Sequence, residues 1–168
     1  MSAAEAVAIA AALFISQIAF AQAADKEPAA ILELGGDAAK DLKGGWNAGP
    51  TAAVEFTPIE NWLEIEAGVT PAFGHLAMEC DTDLLFKKPW TLSKKVEFMF
   101  GVGPEWVHTR QNGVSTNSIA GEAALDFMFW PSPKRRFGWY LEPAFDYTFA
   151  RGHERSVGMS FGLLIAIP

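Results

Sequence analysis

A single cysteine, Cys80, stands in 168 residues. It cannot form an intramolecular disulfide, and no paired Cys/His spacing is present to hold a structural zinc. Basic residues are few: 13 Lys and Arg against 20 Asp and Glu, for a formal net charge of -7. Nucleic-acid binding needs a concentrated cationic surface that releases phosphate counterions, so DNA and RNA are excluded as partners. Long apolar runs are missing as well. Ala6 to Ile15 is a run of ten, short of the roughly 20 residues that a membrane-spanning helix needs. What is present is 50% hydrophobic residues, 12% aromatics and 15 glycines, enough for one domain with a core, either a soluble or a membrane β protein.

The apolar run at the amino end is followed by Ala21-Gln22-Ala23, the small-x-small pattern that signal peptidase cuts after. Residues 1–23 are therefore expected to be a secretory signal peptide, although Met1 to Glu5 carries no Lys or Arg; a buried amino-terminal helix is the alternative. Residues 24–29 would be a short periplasmic lead-in and 30–168 the folded domain.

From Gly45 onward no helical period stands out, but stretch after stretch alternates apolar and polar residues with a period near two, the mark of strands with two unlike faces. Leu63, Ile65, Ala67 and Val69 alternate with Glu64, Glu66, Gly68 and Thr70. Val96, Phe98, Phe100 and Val102 alternate with Glu97, Gly101 and Gly103, and Val157 to Ile167 sets large apolar residues against Gly158, Ser160 and Gly162. Further strands fit Trp46 to Phe56, Met78 to Phe86, Glu122 to Phe129 and Trp139 to Phe149. Ala30 to Leu34, with Leu32 and Leu34 flanking Glu33, is a weaker eighth that fits a short helix almost as well. The connections Thr57–Asn61, Lys87–Lys94 and Pro131–Arg136 fall at one end with the termini, and Gly35–Gly44, Ala72–Ala77, Thr109–Asn117 and Ala150–Arg155 at the other. The expected fold class is all-β: an up-and-down antiparallel transmembrane β-barrel of about eight strands, a number that closes with side chains filling the interior.

A soluble calycin-like barrel binding an apolar ligand alternates in the same way, with every strand inverted. Three features favour lipid outside. The polar face is small or acidic, with basic residues confined to connections apart from Lys95; soluble sheets mix both signs and use edge lysines against aggregation. The apolar face is large and aromatic. Trp62, Trp90, Trp130 and Trp139 at one end, and Trp46 and Trp106 at the other, form two girdles at the level of lipid headgroups. Pro50, Pro71, Pro104 and Pro143 fall inside the strands, and in a closed barrel they predict bulges or rim positions.

This pattern resembles the small eight-stranded outer-membrane barrels of Gram-negative bacteria, the group that includes OmpX, OmpW and the OmpA membrane domain. The carboxyl-terminal strand carries the sharpest likeness: Ser160, Gly162, Ile165 and Ile167 match the assembly signal of such barrels, with Ile167 and Pro168 in place of the usual terminal aromatic. Gly101 to Trp106 and Phe137 to Pro143 are also similar to segments of proteobacterial envelope proteins. The resemblance implies an outer-membrane location, contact with outer-membrane lipid and lipopolysaccharide, and insertion by the barrel assembly machinery. It implies no cofactor.

The chemistry that remains is acidic. Glu55, Glu64, Glu66, Glu79, Asp81, Asp83, Glu97, Glu105, Glu122, Asp126, Glu142 and Asp146 are expected to face inward, where charge is costly unless paired, protonated or wet. Two readings follow: a lumen that attracts and passes small cations or solutes, or a plugged polar core in which these acids bond Tyr140, threonines and loop arginines. His75, His108 and His153 map to one rim near carboxylates, a donor set that suits a transition metal. Some small outer-membrane barrels modify lipid A with a Ser, a His and a carboxylate, and Ser156 and His153 are the available pair. Residues three apart in a strand point to opposite faces, no nucleophile elbow or His-x-Ser pair occurs, and the protein is expected not to be an enzyme. Cys80 falls on the apolar face as a packing residue.

Overall fold

The structure, a computed structural model, describes residues 28–168 except 75, 76, 133, 151 and 152. The expected signal peptide and most of the lead-in lie outside these residues. Eight strands follow in order: β1 (Ala30–Asp41), β2 (Trp46–Ile59), β3 (Leu63–Gly74), β4 (Ala77–Ser93), β5 (Val96–Gln111), β6 (Val114–Phe129), β7 (Phe137–Thr148) and β8 (Arg155–Ile167). Each pairs antiparallel with the next, and β8 closes on β1, with Ala30 opposite Ile167 and Asp41 opposite Ser156.

Followed once round the barrel, the pairing that starts at Ile31 passes Glu55, Glu66 and Leu85, crosses to Glu122, Asp146 and Ser156, and returns to β1 at Asp41, a stagger of ten residues. Stagger and strand number together set the tilt and bore of a closed barrel. At this bore, side chains fill the lower lumen.

The period-two pattern is resolved as lipid-side apolar and lumen-side polar. Phe161 and Leu163 are 63% and 61% exposed, whereas Glu33, Glu55 and Glu66 are buried inside the barrel. The inverted, calycin-like arrangement is thereby overturned: large apolar side chains coat the outer wall, which suits hydrocarbon and would aggregate in water.

The strands are longer than the alternation alone suggested. β1 runs through the expected connection Gly35–Gly44 as far as Asp41, and β4 runs through Lys87–Lys94 as far as Ser93. Lys40, Lys87, Lys88, Arg110 and Arg155 consequently lie in strands, correcting the expectation that Lys95 alone touches one. The ladder bonds of both neighbours continue through these polar segments, so backbone pairing overrides the loss of apolar pattern.

Pro50, Pro71, Pro104 and Pro143 produce no bulges. Pairing stops between Ala48–Phe73 and Ala52–Val69, between Asp83–Glu105 and Phe86–Val102, and between Ala124–Ala144 and Phe127–Leu141, and each time resumes in the same register. Pro50 and Pro71 lie in the first gap, Pro104 in the second and Pro143 in the third. Among the described residues, register shifts occur only near strand ends, between Phe56 and Ile59, which encloses Pro58, and between Thr91 and Ser93. Gly49 and Gly103, each just before a proline, let the strands approach at the gaps: a Cβ on Gly49 would collide with the Pro71 carbonyl, and one on Gly103 with the Leu84 carbonyl.

Candidate functional site

The lumen is layered. Next to the termini, Ile31, Met99, Met128, Trp130, Tyr140 and Leu164 form a buried apolar cluster that fills the barrel. Below it, Glu97 accepts hydrogen bonds from Arg135 Nη1 at 2.6 Å and from Trp130 Nε1 at 3.2 Å. Above it lies a buried ion-pair cage centred on Lys87. Its Nζ is 2.5 Å from Glu66, 2.6 Å from Glu142, 3.1 Å from Asp126 and 3.8 Å from Glu55. The carboxylates come from β2, β3, β6 and β7, so one ammonium links strands from opposite sides of the wall. Gly101, opposite Lys87 in the ladder, leaves room for that side chain: a Cβ there would sit 2.8 Å from Lys87 Cγ.

Above the cage the lumen widens into a cavity of about 440 Å³ that opens at the end bearing the β1–β2, β3–β4, β5–β6 and β7–β8 turns. Its floor is Glu33, Glu66, Tyr140 and Glu142, and its walls carry Asp37, Glu79, Asp81, Asp83, Glu105, Glu122 and Asp146. With Asp41 and Glu154 at the mouth, twelve carboxylates line it among the described residues, against one described cationic side chain, Arg155. That guanidinium lies 5.7 Å from the Tyr147 ring. Neutral donors hold part of the wall: Asn47 Nδ2 donates to Glu79 (2.7 Å), Ser156 Oγ to Asp146 (2.9 Å) and Ser160 Oγ to Asp37 (3.0 Å). Glu33 Oε1 and Asp81 Oδ1 are buried without a hydrogen-bond partner.

The acids expected in one cluster are thus spread over several levels of the lumen. Glu79, Asp81, Asp83, Glu105, Glu122 and Asp146 line the open cavity; Glu66 and Glu142 lie between cavity and cage; Glu55 and Asp126 belong to the cage. Glu97 is at the opposite end, and Glu64, paired across the ladder with Lys87, lines no part of the cavity. Alternation alone does not bring Glu33, Asp37, Asp41 or Lys87 into the lumen: Glu33 falls in the weak Ala30–Leu34 segment, Asp37 and Asp41 in an expected connection, and Lys87 in an expected turn. The signal for Lys87 was present: Leu84, Phe86 and Trp90 continue the exposed face, which sends Lys87 inward.

Trp46, Trp62, Trp90, Trp106 and Trp139 are exposed on the outer wall or at its rims, but Trp130, expected in a girdle, is 1% exposed and seals the terminus-bearing end of the core. It follows the last residue of β6, where the chain turns inward and its indole N–H finds Glu97. His75 lies outside the described residues. His108 Nδ1 is 2.7 Å from Asn117 Oδ1, and His153 Nδ1 is 3.0 Å from the Tyr147 hydroxyl; among the described residues neither belongs to a group of three metal-ligating side chains. Ser156 bonds Asp146 rather than His153, so the pair needed for lipid A chemistry is not assembled. In the carboxyl-terminal strand, Ser160 and Gly162 lie on the lumen side, Gly162 against the Leu34 carbonyl, while Ile165 and Ile167 pair with Leu32 and Ala30 of β1.

A closed eight-stranded antiparallel barrel with an apolar outer wall and a polar interior is the fold of the small outer-membrane β-barrels. Neisserial surface protein A, NspA, superposes with a TM-score of 0.62 at 12% identity, covering 82% of this chain and 95% of that one. The amino-terminal β-barrel domain of Pseudomonas aeruginosa OprF gives 0.61 at 8% identity over 83% of this chain and 100% of that one. Ail, the attachment invasion locus protein of Yersinia pestis, gives 0.53 at 10% identity over 83% and 99%. No family model and no curated protein sequence matches the chain.

Proposed function

We propose that this is an outer-membrane β-barrel with an interaction role in the Gram-negative envelope, and that its lumen receives small cations from the outer face without passing them through. In this placement the termini face the periplasm, as in barrels of this fold, and the acid-lined cavity opens outward. The observation that carries the reading is the charge imbalance of that cavity, twelve carboxylates to one arginine among the described residues. A narrow cleft lined by one sign of charge focuses its field and concentrates counter-ions. The expectation of passage through an acidic lumen is narrowed here, because the Lys87 cage and the apolar cluster fill the barrel below the cavity.

The test joins two measurements on the purified barrel. Calorimetric titration with small cations should give saturable binding, weakened when cavity acids are neutralised, while planar bilayers should show no steady conductance. Stable cation-selective current steps would replace the receptor with a channel; absence of binding by any cation would leave a purely structural barrel.

A further inference from the structure

We infer that the outward-opening cavity binds a linear aliphatic polyamine, a ligand assignment that rests on the reading of the lumen as a cation receptor. Acidic walls attract any cation, and three features narrow the class. At the floor, Glu33 is 2% exposed and its Oε1 has no hydrogen-bond partner. A buried acceptor left without a donor is costly, and a small turn of the Glu33 carboxyl from the cage toward the cavity would let an N–H group of an occupant satisfy it.

The wall carboxylates also do not converge. Among the described residues, the one set of three or more acidic ligands with atoms within 4.8 Å of one another is Glu33, Glu55, Glu66 and Asp126. The Lys87 ammonium already lies against the last three. A divalent magnesium or calcium ion needs several oxygens gathered at about 2.0–2.6 Å, which the wall above the cage does not provide.

Instead the charges are strung along the cavity. Glu79, Asp81 and Asp83 occupy alternate positions of β4 on the lumen face, steps of about 6.8 Å, and Asp83 faces Glu105 across the ladder. Amines joined by a four-carbon spacer have a similar repeat. Gly68, Val107 and Ala144 also line the cavity, giving small or apolar wall for the methylenes between charges. From Glu33 to Asp41 on β1 the cavity follows eight residues, about 27 Å along the strand at about 3.4 Å per residue. A deep cavity with carboxylates at successive heights on strands all round it suits an extended chain of ammonium groups, each with donors for carboxylates on more than one strand.

The experiment is calorimetric titration of the full folded barrel in a zwitterionic detergent, at fixed ionic strength, with spermidine, 1,4-diaminobutane and magnesium chloride in turn. Spermidine is expected to bind at least about tenfold more tightly than either of the others, a difference of about 1.4 kcal/mol. The double variant Asp81→Asn, Glu105→Gln should weaken spermidine about tenfold, while the gel shift between unheated and boiled protein shows the barrel intact. Magnesium binding as tightly as spermidine, with both weakened in the variant, would overturn the polyamine assignment and leave the cation receptor standing. Spermidine binding untouched by the double substitution would place its site elsewhere and also overturn the inference. No heat from any cation, in a barrel that still shifts on boiling, would overturn both readings together.

Discussion

The Lys87 ammonium on β4 lies 2.6 Å from a carboxylate oxygen of Glu142 on β7, three strands further round the wall. Neither residue reaches the other through the ladder: Lys87 pairs with Glu64 and Gly101, and Glu142 with Ser160. The contact spans the lumen and, with Glu66 and Asp126, ties the barrel across its interior. Breaking a buried pair leaves charge without compensation, which costs more than the pair itself contributes.

Lys87→Met should therefore destabilise the barrel by about 3–5 kcal/mol, read from urea unfolding of the lipid-reconstituted protein by tryptophan fluorescence. Glu142→Gln, which leaves the ammonium with Glu66 and Asp126, should cost less. Equal stability of Lys87→Met and the parent would show that the cage contributes nothing to folding.

At the proline gaps, fit rather than charge is at stake. Gly103→Ala puts a methyl onto the Leu84 carbonyl, an overpacking that should cost about 1–3 kcal/mol. Gly36→Ala, whose Cβ would have only the Gly49 carbonyl within reach at 3.7 Å, should be tolerated. Thermal unfolding of the two variants side by side checks the contrast.

The outer wall makes a separate demand. Phe161 is 63% exposed on the lipid side of β8, and Phe161→Arg should cost about 2–4 kcal/mol if it lies near the bilayer midplane. The measurable outcome is less protein in the outer-membrane fraction and loss of the boiling-dependent gel shift. Trp46→Arg, at the rim, should assemble normally.

Glu97 sits near the terminus-bearing end with Arg135, their side chains 13% and 21% exposed. Solvent reaches this pair and screens it, so Glu97→Gln should cost no more than about 1 kcal/mol, well below Lys87→Met in the same unfolding assay. A loss as large as that of the cage lysine would mean that this lower layer, through Trp130, holds the barrel shut.

Much of this architecture was legible in the alternation. A period of two assigns each residue to one of two faces, and the size and polarity of Leu63–Val69 or Val157–Ile167 identified which face meets lipid. The number of strands and the end that carries the termini followed from counting alternating segments and their turns. Height and convergence were not legible. Trp130 reads like the other girdle tryptophans until the chain bends inward after β6. Lys87 reads as part of a basic turn until the ladder carries β4 past it to Ser93.

The sequence by itself thus determined an eight-stranded, acid-filled barrel, because face and polarity are local properties of a strand. Only the tertiary structure decided that the acids divide into an open cavity, a lysine-centred cage and a lower rim. That division depends on the ten-residue stagger of the closed sheet, which brings Glu55, Glu66, Lys87, Asp126 and Glu142 to one level. Such a stagger is set by hydrogen-bond register round the whole barrel, a global condition that no single segment records.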